Sequence, residues 1–353
     1  MKSLLTAFAC LLIAGNLDAQ LTTTPLKEAT LPLEGCTYVL PKTVLTATVT
    51  YKQQVQTPGP YAQYAERFLG LTTVIQNEQT THELVGVTLT STAVPDETAW
   101  FHVKPADSKH PMVVNLSPEG FLLGCNVPIT ALPSNSEHPV SALNQTNEGS
   151  TQTRPESVLT RDMQQATSTA KLAELAAAQI FTIRESRMSL LQQETDHMPA
   201  DGRSFGLVLE ELNRMETYYM ELFSGKKTSS TLVKQIEFEP KQEEEVVLFR
   251  FNQQKGMVDK NDLSGSPVSI KLTKTPIPDR SILKNRVEKK PPLSGIYYRI
   301  PCPTVITVFD AHQTYVQTTL SIPQFGSINS LPVDMTRTFR LCPLTGSLLE
   351  AGR

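Results

Sequence analysis

Hydrophobic and polar positions repeat along this chain with two different periods, separated by a stretch with none. Between 30 and 126 the period is two. Val44-Leu45-Thr46-Ala47-Thr48-Val49-Thr50-Tyr51 and Leu84-Val85-Gly86-Val87-Thr88-Leu89-Thr90 place β-branched side chains at alternate positions, as half-buried strands require. A short helix at 61–69 interrupts them, with Pro58-Gly59-Pro60 turning into it and Gly70 ending it. Residues 127–156 are rich in Pro, Ser, Asn, Gln and Thr and read as an exposed linker. From 157 to 225 the period becomes helical. Ala166, Thr169, Ala173, Ala176, Ile180, Ile183, Arg187 and Leu190 form one stripe; Phe205, Val208, Leu212, Met215, Tyr219 and Leu222 form a second. The break at 198–202 between them predicts an antiparallel helical hairpin, with arms of ~30 and ~20 residues and the first arm the longer. Period two returns over 229–353, with strands expected at 232–239, 245–252, 268–273, 295–300, 305–309 and 315–322 and a basic loop at 279–292. The fold class expected is α+β, mainly β: two antiparallel β regions flanking the hairpin.

The two β regions echo each other. Gly35-x-x-Tyr38-x-x-Pro41 recurs as Gly295-x-x-Tyr298-x-x-Pro301, and Leu116-Ser117-Pro118-Glu119-Gly120 recurs, one residue longer, as Leu341-Cys342-Pro343-Leu344-Thr345-Gly346. The order is the same in both regions, which predicts two related units. Chance agreement of common turn-and-strand grammar is the alternative.

The first 19 residues have the form of a secretory signal peptide. Lys2 precedes an apolar run over 4–14, and the small residue Ala19 marks a cleavage point. That run is too short to span a bilayer, and no later segment reaches ~18 apolar residues, so no transmembrane helix is expected in the mature chain. Cys10 suggests lipid attachment, but Leu11, Leu12 and Ile13 continue the apolar run where a lipidated start should turn polar. Cys36, Cys125, Cys302 and Cys342 follow without any Cys-x-x-Cys spacing. Disulfides and buried free thiols are both open, while zinc and redox motifs are disfavoured.

Composition narrows the function classes. The 353 residues carry 32 Lys and Arg against 35 Asp and Glu, a formal charge of −3, which gives no basic surface for nucleic acid. Glycine numbers 17 and proline 25, so glycine is scarce for phosphate-cradling loops and proline plentiful for turns and strand edges. Catalytic patterns fail individually. His82-Glu83 lacks a second histidine, with Gly86 in its place; Gly225-Lys226-Lys227-Thr228 lacks the leading glycine of a P-loop; 263–267 is no nucleophile elbow. The six histidines fall at unrelated spacings, and Glu243-Glu244-Glu245 reads as a solvated turn. No catalytic residue, metal ligand or cofactor is assigned.

Two clusters are candidate binding residues. Tyr61 and Tyr64, with Phe68, could form an aromatic platform for a sugar or a partner; packing onto the sheet explains the same spacing. Arg184 and Arg187 place cations beside the apolar stripe, for an anion or partner, or for salt bridges to Glu210, Glu211 or Glu216.

The segment from Pro58 to Gly70 resembles an exported family of Bacteroides-type Gram-negative bacteria known as domain of unknown function 4831. So do Tyr38-Val39-Leu40-Pro41-Lys42-Thr43-Val44, Ile183-Arg184-Glu185-Ser186-Arg187 with Pro199-Ala200-Asp201-Gly202, 295–301, and Gln324-Phe325-Gly326. The resemblance covers nearly the whole mature chain. It implies an envelope setting, in the periplasm or at the outer-membrane surface, and transfers no activity. The expected role is a non-catalytic binding or scaffolding component of the cell envelope, with an envelope protein or glycan as partner. An envelope hydrolase acting on glycan or peptide is the alternative reading, and a homo-oligomeric assembly subunit a third.

Overall fold

The computed structural model describes residues 22–25, 35–104, 113–128, 160–192, 194, 202–275, 295–331 and 338–352. The expected signal segment 1–19, nearly all of the expected linker 127–156 and the expected basic loop 279–292 lie outside the described residues. The protein is mainly β, of the α+β class, with antiparallel sheets. Strands β1 (Thr22–Pro25), β2 (Cys36–Thr57) and β3 (Gln79–Lys104) are followed by the small β4 (Val114–Leu116) and β5 (Leu122–Cys125). A 3-10 turn over Ala62–Tyr64 and helix α1 (Ala65–Leu69) join β2 to β3. Then come α2 (Arg161–Gln165), α3 (Thr169–Gln192) and α4 (Gly202–Ser224). The chain closes with β6 (Lys226–Phe238), β7 (Glu245–Asn252), β8 (Gly256–Val258), β9 (Ser266–Lys274), β10 (Ile296–Phe309), β11 (Thr314–Leu331), β12 (Thr338–Leu341) and β13 (Leu348–Gly352).

Among the described residues the strands form three sheets, in orders β1-β3-β2-β6, β11-β10-β9-β7-β8 and β13-β12-β5-β4. The first two face each other across the larger core. Leu45, Ala47, Val49 and Tyr51 of β2 meet Phe249, Ile270, Ile306, Val308 and Ile322 of the second sheet. Gln324 of β11 bonds the backbone of Thr43, whereas the Tyr51 ring lies 5.9 Å from that of Phe251 on β7. Between Thr43 and Tyr51 β2 therefore crosses the second sheet from β11 to β7, the geometry of steeply crossed packing. A second core forms where Tyr38, Leu40 and Phe101 meet Ile296, Tyr297, Phe339 and Leu341. Phe101 stacks on Tyr297 at 4.5 Å and on Tyr38 at 5.7 Å, pairs of ~0.5–1.5 kcal/mol each beyond the area they bury.

The echo seen in sequence is repeated in register. Val39 pairs with Trp100 and Pro41 with Pro95, while Ile300 pairs with Ser327 and Cys302 with Ile322. In each hairpin a step of two on the outgoing strand faces a step of five on the returning one, so both bend through a bulge at the same place. Val39 N–H donates to the Gly120 carbonyl at 3.1 Å, and Arg299 N–H to that of Gly346 at 2.9 Å. Thr43 and Thr304 are both buried, one step before Val44 and Val305. Each bulge also grips the other unit's inner strand: Asp96 pairs with Arg299, and Gln324 bonds Thr43. Gly326 is needed inside the second hairpin's own bulge, because a Cβ there would fall 1.7 Å from the Ile300 carbonyl oxygen of the paired strand.

Several expectations change. The segments 295–300 and 305–309 form one strand, β10, because the proline at 301 sits in its bulge. β6 begins at Lys226, so Gly225-Lys226-Lys227-Thr228 opens a strand that pairs with β2 of the first sheet. The hairpin arms are nearly equal, 24 and 23 residues, about 36 and 35 Å. The first arm is shortened because Thr160 caps the separate helix α2 and Ser168 Oγ then accepts from Lys171 N–H to start α3. Among the described residues, no helix is long and apolar enough to cross a membrane.

Candidate functional site

Among the described residues, β6 is an edge strand of the first sheet, with β1 at the other edge. Leu232, Ile236 and Phe238 point inward and pack against the larger core, while Val233, Gln235 and Glu237 are exposed. Strands β7 and β8 of the second sheet face β6 at one corner. A cleft of about 520 Å³ lies at this corner. Ile236, Phe238, Val246, Leu248 and Met257 supply an apolar floor, and the charged Lys234, Glu237, Asp259 and Lys260 also line it. None of these four makes an ion pair with a described residue. Local structure fixes the far rim: Asp259 Oδ1 accepts from Asn261 N–H at 2.9 Å, and Arg250 Nε–H donates to the Lys260 carbonyl at 3.0 Å. The corner therefore combines an outer strand, an apolar floor and charges of both signs, a composition suited to recognition.

The sequence candidates sit elsewhere, on the hairpin and its base. Tyr61 meets Phe223 of α4 at 5.6 Å and Tyr64 meets Phe68 at 6.1 Å. Both tyrosines pack into the helical core with Ala65, Ala173, Ile180 and Tyr219, so their spacing serves packing onto the hairpin instead of the sheet. The Pro58-Gly59-Pro60 turn explains the attachment. A Cβ on Gly59 would lie 2.3 Å from the Leu222 carbonyl oxygen, and Tyr61 N–H donates to that same oxygen at 2.8 Å. Arg184 and Arg187 converge on one carboxylate, Glu216, at 2.7 and 2.6 Å, with Arg187 also donating to Asn213 Oδ1 at 2.8 Å. Burial works to raise the Glu216 carboxyl, but the two guanidinium hydrogen bonds outweigh it and hold the group below its ordinary range.

The aromatic and arginine clusters thus lie apart from the corner cleft. Its charged residues were not singled out in sequence, because each lies in an ordinary alternating strand or polar turn and the cleft exists only once two sheets cross. The hairpin carries a further exposed set: Phe181, Met188 and Leu191 on α3 and Leu207 on α4 are 47 to 60% exposed. Cys36, Cys125, Cys302 and Cys342 are free thiols; burial raises Cys36 and pushes Cys125 up to about 11. His102 Nδ1 lies 3.0 Å from Thr37 Oγ1, and His82 packs on Tyr51 at 6.0 Å. Among the described residues, no three His, Cys, Asp or Glu side chains come together as a metal site.

The family model of a domain of unknown function, DUF4831, matches residues 34–346. No curated protein and no solved structure matches the chain.

Proposed function

The chain belongs to the DUF4831 family, and from that premise we propose that it is a non-catalytic binding or scaffolding component of a Gram-negative cell envelope, exported to the periplasm or outer-membrane surface. The corner cleft beside β6 is its docking surface. The observation that carries this reading is the apolar floor of Ile236, Val246, Leu248 and Met257 between an outer strand and four charges without ionic partners among the described residues. A permanent core edge would normally be covered, and unpaired charges around an apolar floor serve orientation more than stability. The exposed apolar side chains of the hairpin support a protein partner in addition. The export reading rests on the sequence of residues 1–19.

The test places a photocrosslinking amino acid at Val258 or Lys260 in the cleft, and at Leu349 as an exposed position elsewhere, in the protein expressed in its native envelope. Adducts of one discrete mass from the cleft positions, absent at Leu349, are the expected outcome. No adduct from either cleft position overturns the docking reading, and recovery of the full-length chain in the cytoplasm overturns export.

A further inference from the structure

We infer that the ligand of the corner cleft is an extended segment of a partner polypeptide, added to β6 as an antiparallel strand with a basic residue opposite Glu237 and an apolar one opposite Ile236. This rests on the reading of the cleft as the docking surface and names what occupies it. The two related units supply the template. Leu45 pairs with Phe238 and Ala47 with Ile236 in the first; Ile306 pairs with Leu272 and Val308 with Ile270 in the second. Leu45 lies four residues beyond Pro41, where pairing resumes after the first bulge, and Ile306 four beyond Cys302, where it resumes after the second, so β6 corresponds to β9, with Glu237 at the place of Lys271 and Ile236 at that of Ile270.

In the second unit the chain itself shows what fits beside this strand. β7 runs antiparallel to β9, pairing Glu245 with Lys271 and Val246 with Ile270. The carboxylate of Glu245 and the ammonium of Lys271 lie 3.3 Å apart across the ladder. Among the described residues, the first sheet ends at β6. There the charge is inverted. Glu237 stands where Lys271 does and forms no ion pair with a described residue. A strand docked as β7 docks on β9 then needs a cation opposite Glu237 and an apolar side chain reaching the floor. An acidic residue further along it would meet Lys234. Backbone hydrogen bonds along β6 give such a strand its affinity, and the alternating side chains give it specificity.

Synthetic octapeptides test this on the mature full-length protein by fluorescence anisotropy. One is Lys-Val-Val-Leu-Glu-Arg-Phe-Asn, the β7 pattern with Lys at the place of Glu245, opposite Glu237, and Glu at that of Phe249, opposite Lys234; the other is the β7 sequence itself, Glu-Val-Val-Leu-Phe-Arg-Phe-Asn. The peptide carrying both exchanges is expected to bind about tenfold more tightly, since the pair at Glu237 changes from repulsive to attractive and a second attractive pair forms at Lys234. The double variant Lys234→Glu/Glu237→Lys is expected to reverse that preference. N-methylation at alternate peptide nitrogens facing β6 should abolish binding, and hydrogen exchange of the β6 amides should slow only in the complex. Equal affinities that the double variant leaves unchanged would overturn the proposal, as would full-strength binding of the N-methylated peptide. A stable dimer of the chain abolished by Glu237→Lys would also overturn it, because a second copy would then hold the edge. Peptide failure with cleft crosslinks intact refutes the strand alone, whereas loss of the crosslinks refutes the docking surface with it.

Discussion

Asp96 and Arg299 form an ion pair between the bulge of β3 and the inner strand of the other unit, with Asp96 9% and Arg299 5% exposed. Asp96 Oδ1 also accepts from Thr98 N–H at 3.0 Å and Thr98 Oγ1–H at 2.7 Å, so it is satisfied locally as well as across the joint. Arg299 has less support: its Nε is buried without a partner among the described residues. Removing one member of a buried pair costs roughly 3–5 kcal/mol, chiefly through the charge left behind. Arg299→Met leaves a carboxylate that keeps its Thr98 bonds, so its loss should lie near ~3 kcal/mol. Asp96→Leu leaves a buried guanidinium without its carboxylate, near ~5 kcal/mol. The double variant Asp96→Leu/Arg299→Met removes both charges and should lose clearly less than the two single losses together. Acid dependence follows in sign. Burial works to raise the Asp96 carboxyl, but the Thr98 bonds and the Arg299 charge hold it below the ordinary range. Its contribution is then complete above the unfolded value of ~3.9 and fades as pH falls through the lower folded value, an acid limb that Arg299→Met should flatten. Urea unfolding followed by the fluorescence of Trp100, the single tryptophan and a residue of the same bulge, measures all three variants. Single losses both under ~1 kcal/mol, or a double loss equal to their sum, would refute the assignment of this pair as the joint.

Gly326→Ala should destabilise by about 3 kcal/mol or more, since its Cβ would sit 1.7 Å from the Ile300 carbonyl oxygen. Gly86→Ala, with nothing within 4 Å of its Cβ, should be neutral or stabilise by ~0.4–1 kcal/mol; thermal unfolding of the pair checks both, and equal shifts would contradict the bulge geometry. Glu216→Gln should weaken the hairpin by about 1 kcal/mol, because the carboxylate holding Arg184 and Arg187 is only 15% exposed but the arginines are 43 and 31% exposed. Faster hydrogen exchange in α3 and α4, with the β cores unchanged, is the expected signature. The wild-type difference should shrink as pH falls below the ordinary glutamate range, through the lowered Glu216 value.

Much of the fold was legible because the local signals agree with the tertiary ones. The alternation from Leu45 to Tyr51 is the burial pattern of β2, the 245–252 strand is β7, and the helical stripe of Ala173, Ala176, Ile180 and Ile183 is the buried face of α3. Gly70 ends its helix in the left-handed conformation, φ 67°. What sequence does not carry is which strand joins which sheet. β6 follows the hairpin in the chain but pairs with β2, and β9, its counterpart, precedes its own unit. Pairing of that kind is decided by crossed packing and not by any local period.

The same physics explains why the conspicuous residues and the cleft lie in different places. Tyr61, Tyr64, Arg184 and Arg187 stand out because aromatic and cationic side chains are conspicuous at helical spacing, yet each has a partner within the hairpin and its base. The cleft is built from residues that are individually unremarkable: an isoleucine and a glutamate on one edge, a valine and a methionine on the next two strands. Its meaning comes from comparison within the molecule. Inversion of the Lys271–Glu245 pair at Glu237 says something about a partner only because two units of one chain share a register, and one of them holds a strand where the first sheet ends. An internal repeat that diverges at one edge is therefore the feature from which a ligand's charge pattern can be derived, and the side-chain motifs are not.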